Sequence, residues 1–529
     1  MKKSKKINSI VRKLFTSQLL IVVLISVAFS SCFTTKDTAK KPNIIFIYTD
    51  DVGYGDVTCY GATGIQTPNV DFMAKNGIQF TDAHSSAATC TPSRYSILTG
   101  SYAFRNNAAI LPGSAPLLIS LGTPTLPGML QKEGYQTAVI GKWHLGLGNG
   151  SPKWNGKLEP GPLEIGFNYS FIVPATLDRV PTVFVENHNV VNLTATDSLA
   201  INYEHKIGKL PTGLEHPEML KVTADSQHSG TIIDSISRIG FMSGGQSAWW
   251  HDEDIAQLLV NKVKEFIEGN KKGPFFLYFA VTDIHVPRAP NNRFLGMSSM
   301  GLRGDAIAEM DWSTGEVLKI LKDAGLDDNT LIIFSSDNGP ILDDGYGDNA
   351  EELLDSDKPW GPFNGGKYSA YEAGTRMATI VYWPGTVKPG KNNALLTQVD
   401  FYSSLAALVG HKLEPNEAPD SYNMLNVLMG KSQSGRTDML EEAFTLALRS
   451  GKWKYIAPQI NPTPDWLKNK KVATGLSQYA QLYNLETDTA EKINIIGKYL
   501  EQAEKMKQIL INIQQKKGTR PGFGEEDKK

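Results

Sequence analysis

An α/β fold built on a mainly parallel sheet is what this 529-residue sequence predicts, and three observations carry the prediction. Short, continuous apolar runs recur along the chain and stop at Gly, Pro or Asp, as strands buried on both faces do. Segments with apolar residues three and four apart lie between them. The two patterns alternate, which implies parallel strands sandwiched by crossover helices.

Residues 42–51, "PNIIFIYTDD", give the first strand, ending at Asp50 and Asp51. "TPNVDFMAKNG" follows as a helix, with Thr67 as its cap, Pro68 in its first turn and Gly77 at its exit. "CTPSRYSILTG", Cys90–Gly100, reads as a second helix beginning near Cys90. "QTAVIGKWHLG" is a strand ending at Lys142 and His144, and "PFFLYFAVTDIHVP" one ending at Asp283 and His285. Residues 252–270 and 304–325 have helical spacing, the first led by acids and the second closing on Lys322 and Gly325. "TLIIFSSDNG" ends at Asp337 and Asn338, and "MATIVYWPG" (377–385) is a fifth strand, following Lys367 and Arg376. Beyond about residue 400 the texture changes. "FTLALRSGKWKYIAP" reads as a hairpin turning at Ser450–Gly451, "YAQLYNLET" as another strand, and roughly 496–516 as an amphipathic helix. The expected division is 42–400 as a catalytic α/β domain and 401–529 as a smaller C-terminal α+β domain containing an antiparallel sheet.

The N-terminus stands apart from this fold. Lys2, Lys3, Lys5, Lys6, Arg12 and Lys13 precede an apolar stretch at 19–29 that is too short to span a bilayer comfortably. "SSC" then ends at Cys32, which resembles a bacterial lipobox. Residues 1–31 are expected to be a lipoprotein signal peptide, and 32–41 a polar tether. Phe33, rather than Asp, after the lipidated Cys32 implies an outer-membrane lipoprotein facing the periplasm or the cell surface. Six of the 53 basic residues and none of the 55 acidic ones fall in 1–31, so the remainder carries 47 against 55, net −8. That balance argues against nucleic acid as a partner. It leaves room for an anionic small substrate in a locally positive pocket.

In open parallel sheets ligands bind beyond the carboxyl ends of the strands, so the polar residues at four strand ends are expected to converge. Asp50, Asp51, Asp337 and Asn338 offer only oxygen, which suits a hard cation such as calcium or magnesium. Singly, such residues are ordinary turn chemistry; together, each just past a buried strand, they favour a metal. Lys142 and Lys367 sit beside glycines that let the backbone approach a ligand. With Arg94, His144 and His285 they complete a pocket for a tetrahedral oxyanion. Cys90 begins a helix whose free N–H groups attract anions. Among three cysteines, a Cys59–Cys90 disulfide remains open at this point.

"CTPSRYSILTG" matches the C-x-P-S-R-x-x-x-L-T-G signature of the type I sulfatases, and the chain resembles that family over about residues 42–500. "TDDVGYGD", "GKWHLG", "DIHVP", "SSDNG" and "GGKYSAYEAGTR" follow in family order. The resemblance implies an alkaline-phosphatase-like fold and hydrolysis of sulfate esters. It implies that Cys90 is oxidised by a sulfatase-maturating enzyme before export to formylglycine, whose gem-diol is the nucleophile. It further implies one Ca2+ on Asp50, Asp51, Asp337, Asn338 and the residue made from Cys90. Arg94 and Lys142 would hold the diol, His144 would accept its second proton, Lys367 would bind sulfate oxygens, and His285 would protonate the departing sugar oxygen. Asn364, where Arg often precedes "GGK", and Ala373 depart from common relatives and bear on substrate preference. The implied substrates are sulfated oligosaccharides of host or algal glycans, among them sulfated galactose or N-acetylgalactosamine, attacked from a chain end. Segment 146–250 is expected to carry specificity, with Asp178 and Arg179 as substrate contacts or as a surface ion pair. Two rival readings are a phosphate or phosphonate monoester hydrolase of the same superfamily, and an unmatured glycan-binding lipoprotein.

Overall fold

Seven residues at 43–49 and seven at 330–336 are buried without a break, and this continuous burial places both strands at the centre of a sheet covered on two faces. The computed structural model describes residues 40–524. The signal peptide, Cys32 and most of the 32–41 tether lie outside the described residues. Among the described residues a ten-stranded sheet runs in the order β10-β2-β9-β8-β1-β7-β3-β4-β5-β6. Here β1 is Asn43–Thr49, β2 Ile78–Phe80, β3 Gln136–Lys142, β4 Tyr169–Val173, β5 Val185–Glu186, β6 Asn189–Val190, β7 Phe275–Ala280, β8 Thr330–Ser336, β9 Thr379–Tyr382 and β10 Gly390–Asn392. Strands β8, β1, β7, β3 and β4 are parallel neighbours. Strand β9 joins β8 and β2 antiparallel.

Side-chain alternation divides the core. Ile44, Phe46 and Tyr48 of β1 face one layer with Phe276 and Ile333; Ile45 and Ile47 face the other with Leu277 and Ile332. Helices α1 (Pro68–Asn76), α4 (Ile255–Asn270) and α5 (Gly301–Asp323) close the second face through residues such as Met73, Val263 and Val317. The first face is closed by α2 (Cys90–Thr99), α3 (Leu126–Lys132) and α6 (Phe401–Val409), through Leu98, Leu130 and Leu405. Each large apolar side chain buried this way contributes about 1.5–3 kcal/mol.

A separate four-stranded antiparallel sheet, β11 (Asp438–Glu442), β12 (Leu446–Ser450), β13 (Trp453–Ile456) and β14 (Gln481–Asn484), packs Leu440, Leu448 and Leu482 against Met506 and Leu510 of α7, Leu500–Gln515. Ser450 pairs with Trp453, so the hairpin turns at Gly451–Lys452, one residue beyond the expected Ser450–Gly451. The described residues from Pro42 onward form one compact unit. Among the described residues no helix is long and apolar enough to cross a membrane.

Candidate active site

Four parallel strands deliver their polar ends to one side of the sheet. Asp50 and Asp51 follow β1, Asp337 and Asn338 follow β8, Lys142 ends β3, and His285 lies five residues beyond β7. The chain turns sharply there. Asp51, His144, Ile284 and Tyr368 all have φ between 53° and 71°, a region costly for non-glycine residues and most so for the β-branched Ile284. Gly339 is required by close approach: a Cβ there would lie 1.8 Å from the Ala373 carbonyl oxygen. Larger residues would push the segment carrying Lys367 away from Asn338.

The charges interlock. Lys142 Nζ donates to both oxygens of Asp50 at 2.7 and 2.6 Å. Arg94 donates from Nε (3.0 Å) and Nη2 (2.7 Å) to Asp337 Oδ2 and from Nη1 to the Lys142 carbonyl at 3.2 Å. Lys367 Nζ lies 3.0 Å from Asp51 Oδ2 and 3.1 Å from Asp344 Oδ2. Asn338 Nδ2 donates to Asp51 Oδ1 at 2.7 Å. Burial, with Asp337 and Asp51 alongside, pushes Asp50 up to about 8 despite Lys142. Asp51 is raised by burial and Asp337, against the pull of Lys367. Burial also works against the Asp337 carboxylate, but Arg94 and Lys142 outweigh it and hold that pKa down. Removing one partner from such buried pairs typically costs about 3–5 kcal/mol.

This donor set fits a hard cation. It offers three carboxylates and one amide, and the Asn338 Oδ1 is buried without a partner. One ligand atom each from Asp50, Asp51 and His285 lie within 4.8 Å of one another. The comparable trio Asp82, His84 and Glu372 is already compensated: Arg376, Arg449 and Lys454 contact its carboxylates.

Cys90 is buried at the start of α2. Burial raises its thiol pKa more than Lys142 and Lys367 lower it. Both Cys59 and Cys90 are free, which overturns the disulfide left open by the sequence. His144 Nε2 lies 2.8 Å from the Leu111 carbonyl, which can only accept, so Nε2 carries the proton. Its Nδ1 is then a lone pair, buried and unpartnered. Burial and Lys142 push this imidazole well below the usual histidine range. His285 donates from Nδ1 to the Val286 carbonyl at 2.7 Å, leaving Nε2 3.9 Å from Asp51 Oδ2. Burial and Lys367 likewise keep it neutral.

Cys90, His285 and Lys367 line a cavity of about 440 Å³, within the range of small-ligand sites. Asp178 and Arg179 line it too, so they are not a surface pair. Arg179 Nη1 donates to the Asp178 carboxylate at 2.9 Å, and His228 Nε2 approaches that carboxylate at 3.4 Å. His228 Nδ1 in turn lies 2.7 Å from Asp225. Asp178 is held well below the carboxylate range: burial opposes this, but Arg179 and the His228 bond prevail. Asp283 does not join the cavity; it lines a small one behind His285, with Glu309. Sequence reasoning missed His228, Tyr203, Asp344 and Tyr368. The first two lie in a segment of short strands and turns, with no apolar run to mark them.

The sulfatase family model matches residues 42–411. An N-acetylgalactosamine-6-O-sulfatase of Bacteroides thetaiotaomicron is 48% identical over 479 residues, covering 90% of this chain and 93% of that protein. Human arylsulfatase A is 29% identical over 474 residues, covering 87% and 84%. A Bacteroides thetaiotaomicron structure, solved in connection with metabolism of multiple glycosaminoglycans, superposes with a TM-score of 0.88 at 47% identity, over 90% of this chain and all of the other. A phosphonate monoester hydrolase of Agrobacterium radiobacter, at 16% identity and a TM-score of 0.56, covering 90% and 95% of the two chains, shares the fold alone.

Proposed function

This chain belongs to the sulfatase family and is a sulfuric ester hydrolase; from that premise we propose that it removes 6-O-sulfate from N-acetylgalactosamine in sulfated glycans, using a formylglycine made from Cys90. The observation that carries the reading is the position of Cys90, at a helix N-terminus in the cavity that Lys367 and His285 line. The substrate follows the 48% identical relative. A raised thiol pKa leaves little thiolate at neutral pH, which suits a precursor better than a nucleophile in its own right.

A formylglycine at position 90 would supply, as its hydrate, the nucleophilic hydroxyl and, through its aldehyde form, a route for sulfate to leave. Asp50, Asp51, Asp337, Asn338 and the modified residue 90 would hold Ca2+, which would supply fixed positive charge to the site. Arg94 and Lys142, rigidly held by Asp337 and Asp50, orient the hydroxyls of residue 90. His144 receives a proton at its free Nδ1. Lys367 binds sulfate oxygens and stabilises their developing charge. His285 presents Nε2 to the departing sugar oxygen, and a sulfate anion beside it favours the protonated form that would donate there. Asp178 and Arg179 bind sugar hydroxyls. The signal peptide at 1–31 and the cysteine that follows it support export and a lipid on Cys32, with maturation of Cys90 preceding export and the protein then held at the outer membrane.

Inorganic sulfate release by the matured, calcium-loaded protein tests this assignment. The 6-O-sulfated N-acetylgalactosamine should be turned over with the highest kcat/KM, above its 4-O isomer and the corresponding phosphate ester. Faster phosphate release would transfer the chain to the monoester hydrolases, and silence on every sulfated sugar would overturn the substrate assignment.

A further inference from the structure

Beside half-buried polar groups such as Arg179, Gln227 and Glu442, the cavity lining holds two groups of contrasting character. Cys90, Asp178, His285 and Lys367 are buried and form a polar floor. Ile110, Leu111, Phe444, Pro464 and Trp466 line the same cavity but are half-buried, and all are apolar. A sulfate and its sugar hydroxyls satisfy the floor. They leave the five apolar side chains wetted, unless the substrate continues past the sulfated sugar.

The two aromatics are built in. Trp466 belongs to a short 3-10 turn, Asp465–Asn469, anchored by the buried Leu467, which packs with Ile341 and Tyr368. Its indole meets Tyr368 edge-on, ring centres 5.1 Å apart at 70°, and Phe444 at 6.0 Å and 64°. Tyr368 follows Lys367 directly, and its hydroxyl lies 3.1 Å from the Asp344 oxygen that Lys367 also contacts. The aromatic group is thus tied, through Tyr368 and Asp344, to Lys367 in the floor. Phe444 sits in the turn between β11 and β12, fixed by the small sheet.

We propose that Phe444 and Trp466 form a stacking platform for the sugar linked to the sulfated one, so that the enzyme recognises at least a disaccharide with its sulfated residue at the chain end. This rests on the carbohydrate reading above and adds a subsite to it. A pyranose offers an apolar C–H face to an aromatic ring and keeps its hydroxyls at the edge, where water remains. The cavity is continuous from floor to platform, so occupation of one positions the other.

The test compares kcat/KM for a 6-O-sulfated monosaccharide with that for a disaccharide carrying it at the non-reducing end. Wild type should prefer the disaccharide. Trp466→Ala and Phe444→Ala should each lower the disaccharide-to-monosaccharide ratio, Trp466→Ala by roughly tenfold and mainly through KM, and Trp466→Phe should restore part of it. Calorimetric binding of the same sulfated disaccharide to Cys90→Ala protein, with and without Trp466→Ala, reads the platform without turnover. A ratio unmoved in both alanine variants, together with unchanged binding, would overturn the platform. Absence of sulfate release from either sugar by wild type would strike the substrate reading instead, and the binding arm would still decide the platform.

Discussion

The charge cluster at the strand ends and the lining that surrounds the substrate cavity are made in different ways. Asp50, Asp51, Lys142, Asp337 and Asn338 lie at or within two residues of the end of a strand in a ten-stranded sheet. Their side chains hold one another through buried bonds. The surround comes from chain segments far apart in sequence: 108–112, 178–228 and 442–466. The chemistry therefore stands on the most rigid part of the fold, where a shift of one group breaks several charge pairs. Selectivity stands on loops, where a side chain can change without disturbing the sheet.

Substitutions should separate the two. The largest effect is expected in the charge cluster: Lys367→Met should lower kcat about 10³-fold on sugar and small aryl sulfates alike, since it removes charge stabilisation at the reacting group. Equal loss on both substrates is the signature, read by steady-state sulfate release. Asp178→Asn should act differently. It keeps the shape but weakens hydrogen bonding, and should cost roughly 10–30-fold in kcat/KM on sugar sulfates, with less effect on an aryl sulfate. If both substrates lost equally, Asp178 would act with the charge cluster rather than in sugar recognition.

The smallest effect concerns pH. Burial lowers the His228 pKa, but Asp178 and Asp225 outweigh it, so its folded pKa stands above the ordinary value. The stabilisation from that charge is fully present below about pH 6.5 and fades as pH rises through the folded pKa. His228→Gln should flatten this part of the pH–stability curve, shifting Tm by roughly 1–2 °C at pH 6 and less at pH 9. Thermal unfolding across that range checks it; a larger shift at high pH would reverse the assigned sign.

The same division explains what the sequence disclosed. Strands such as "NIIFIYT" and "TLIIFSS" are legible because burial on both faces demands an unbroken apolar run, and the residues after each run are then located by topology. The helices at 255–270 and 301–323 are legible through their periodicity. Strands β2 and β10, three residues each, carry no such signal. Strand β9 reads as a strand, but nothing in "TIVY" says that it runs against its neighbours. His228 reaches the cavity through pairing with Asp178 and Asp225, a tertiary match without local periodicity. Trp466 looks in sequence like any loop tryptophan, and only the burial of Leu467 beside it reveals a presented face.

The central claim is that Cys90 is the precursor of the nucleophile. Mass spectrometry of the tryptic peptide containing Cys90, from protein made in its native host, tests it most directly. The account predicts an aldehyde or its hydrate where the thiol stood. An unmodified cysteine in protein that nonetheless releases sulfate would contradict it.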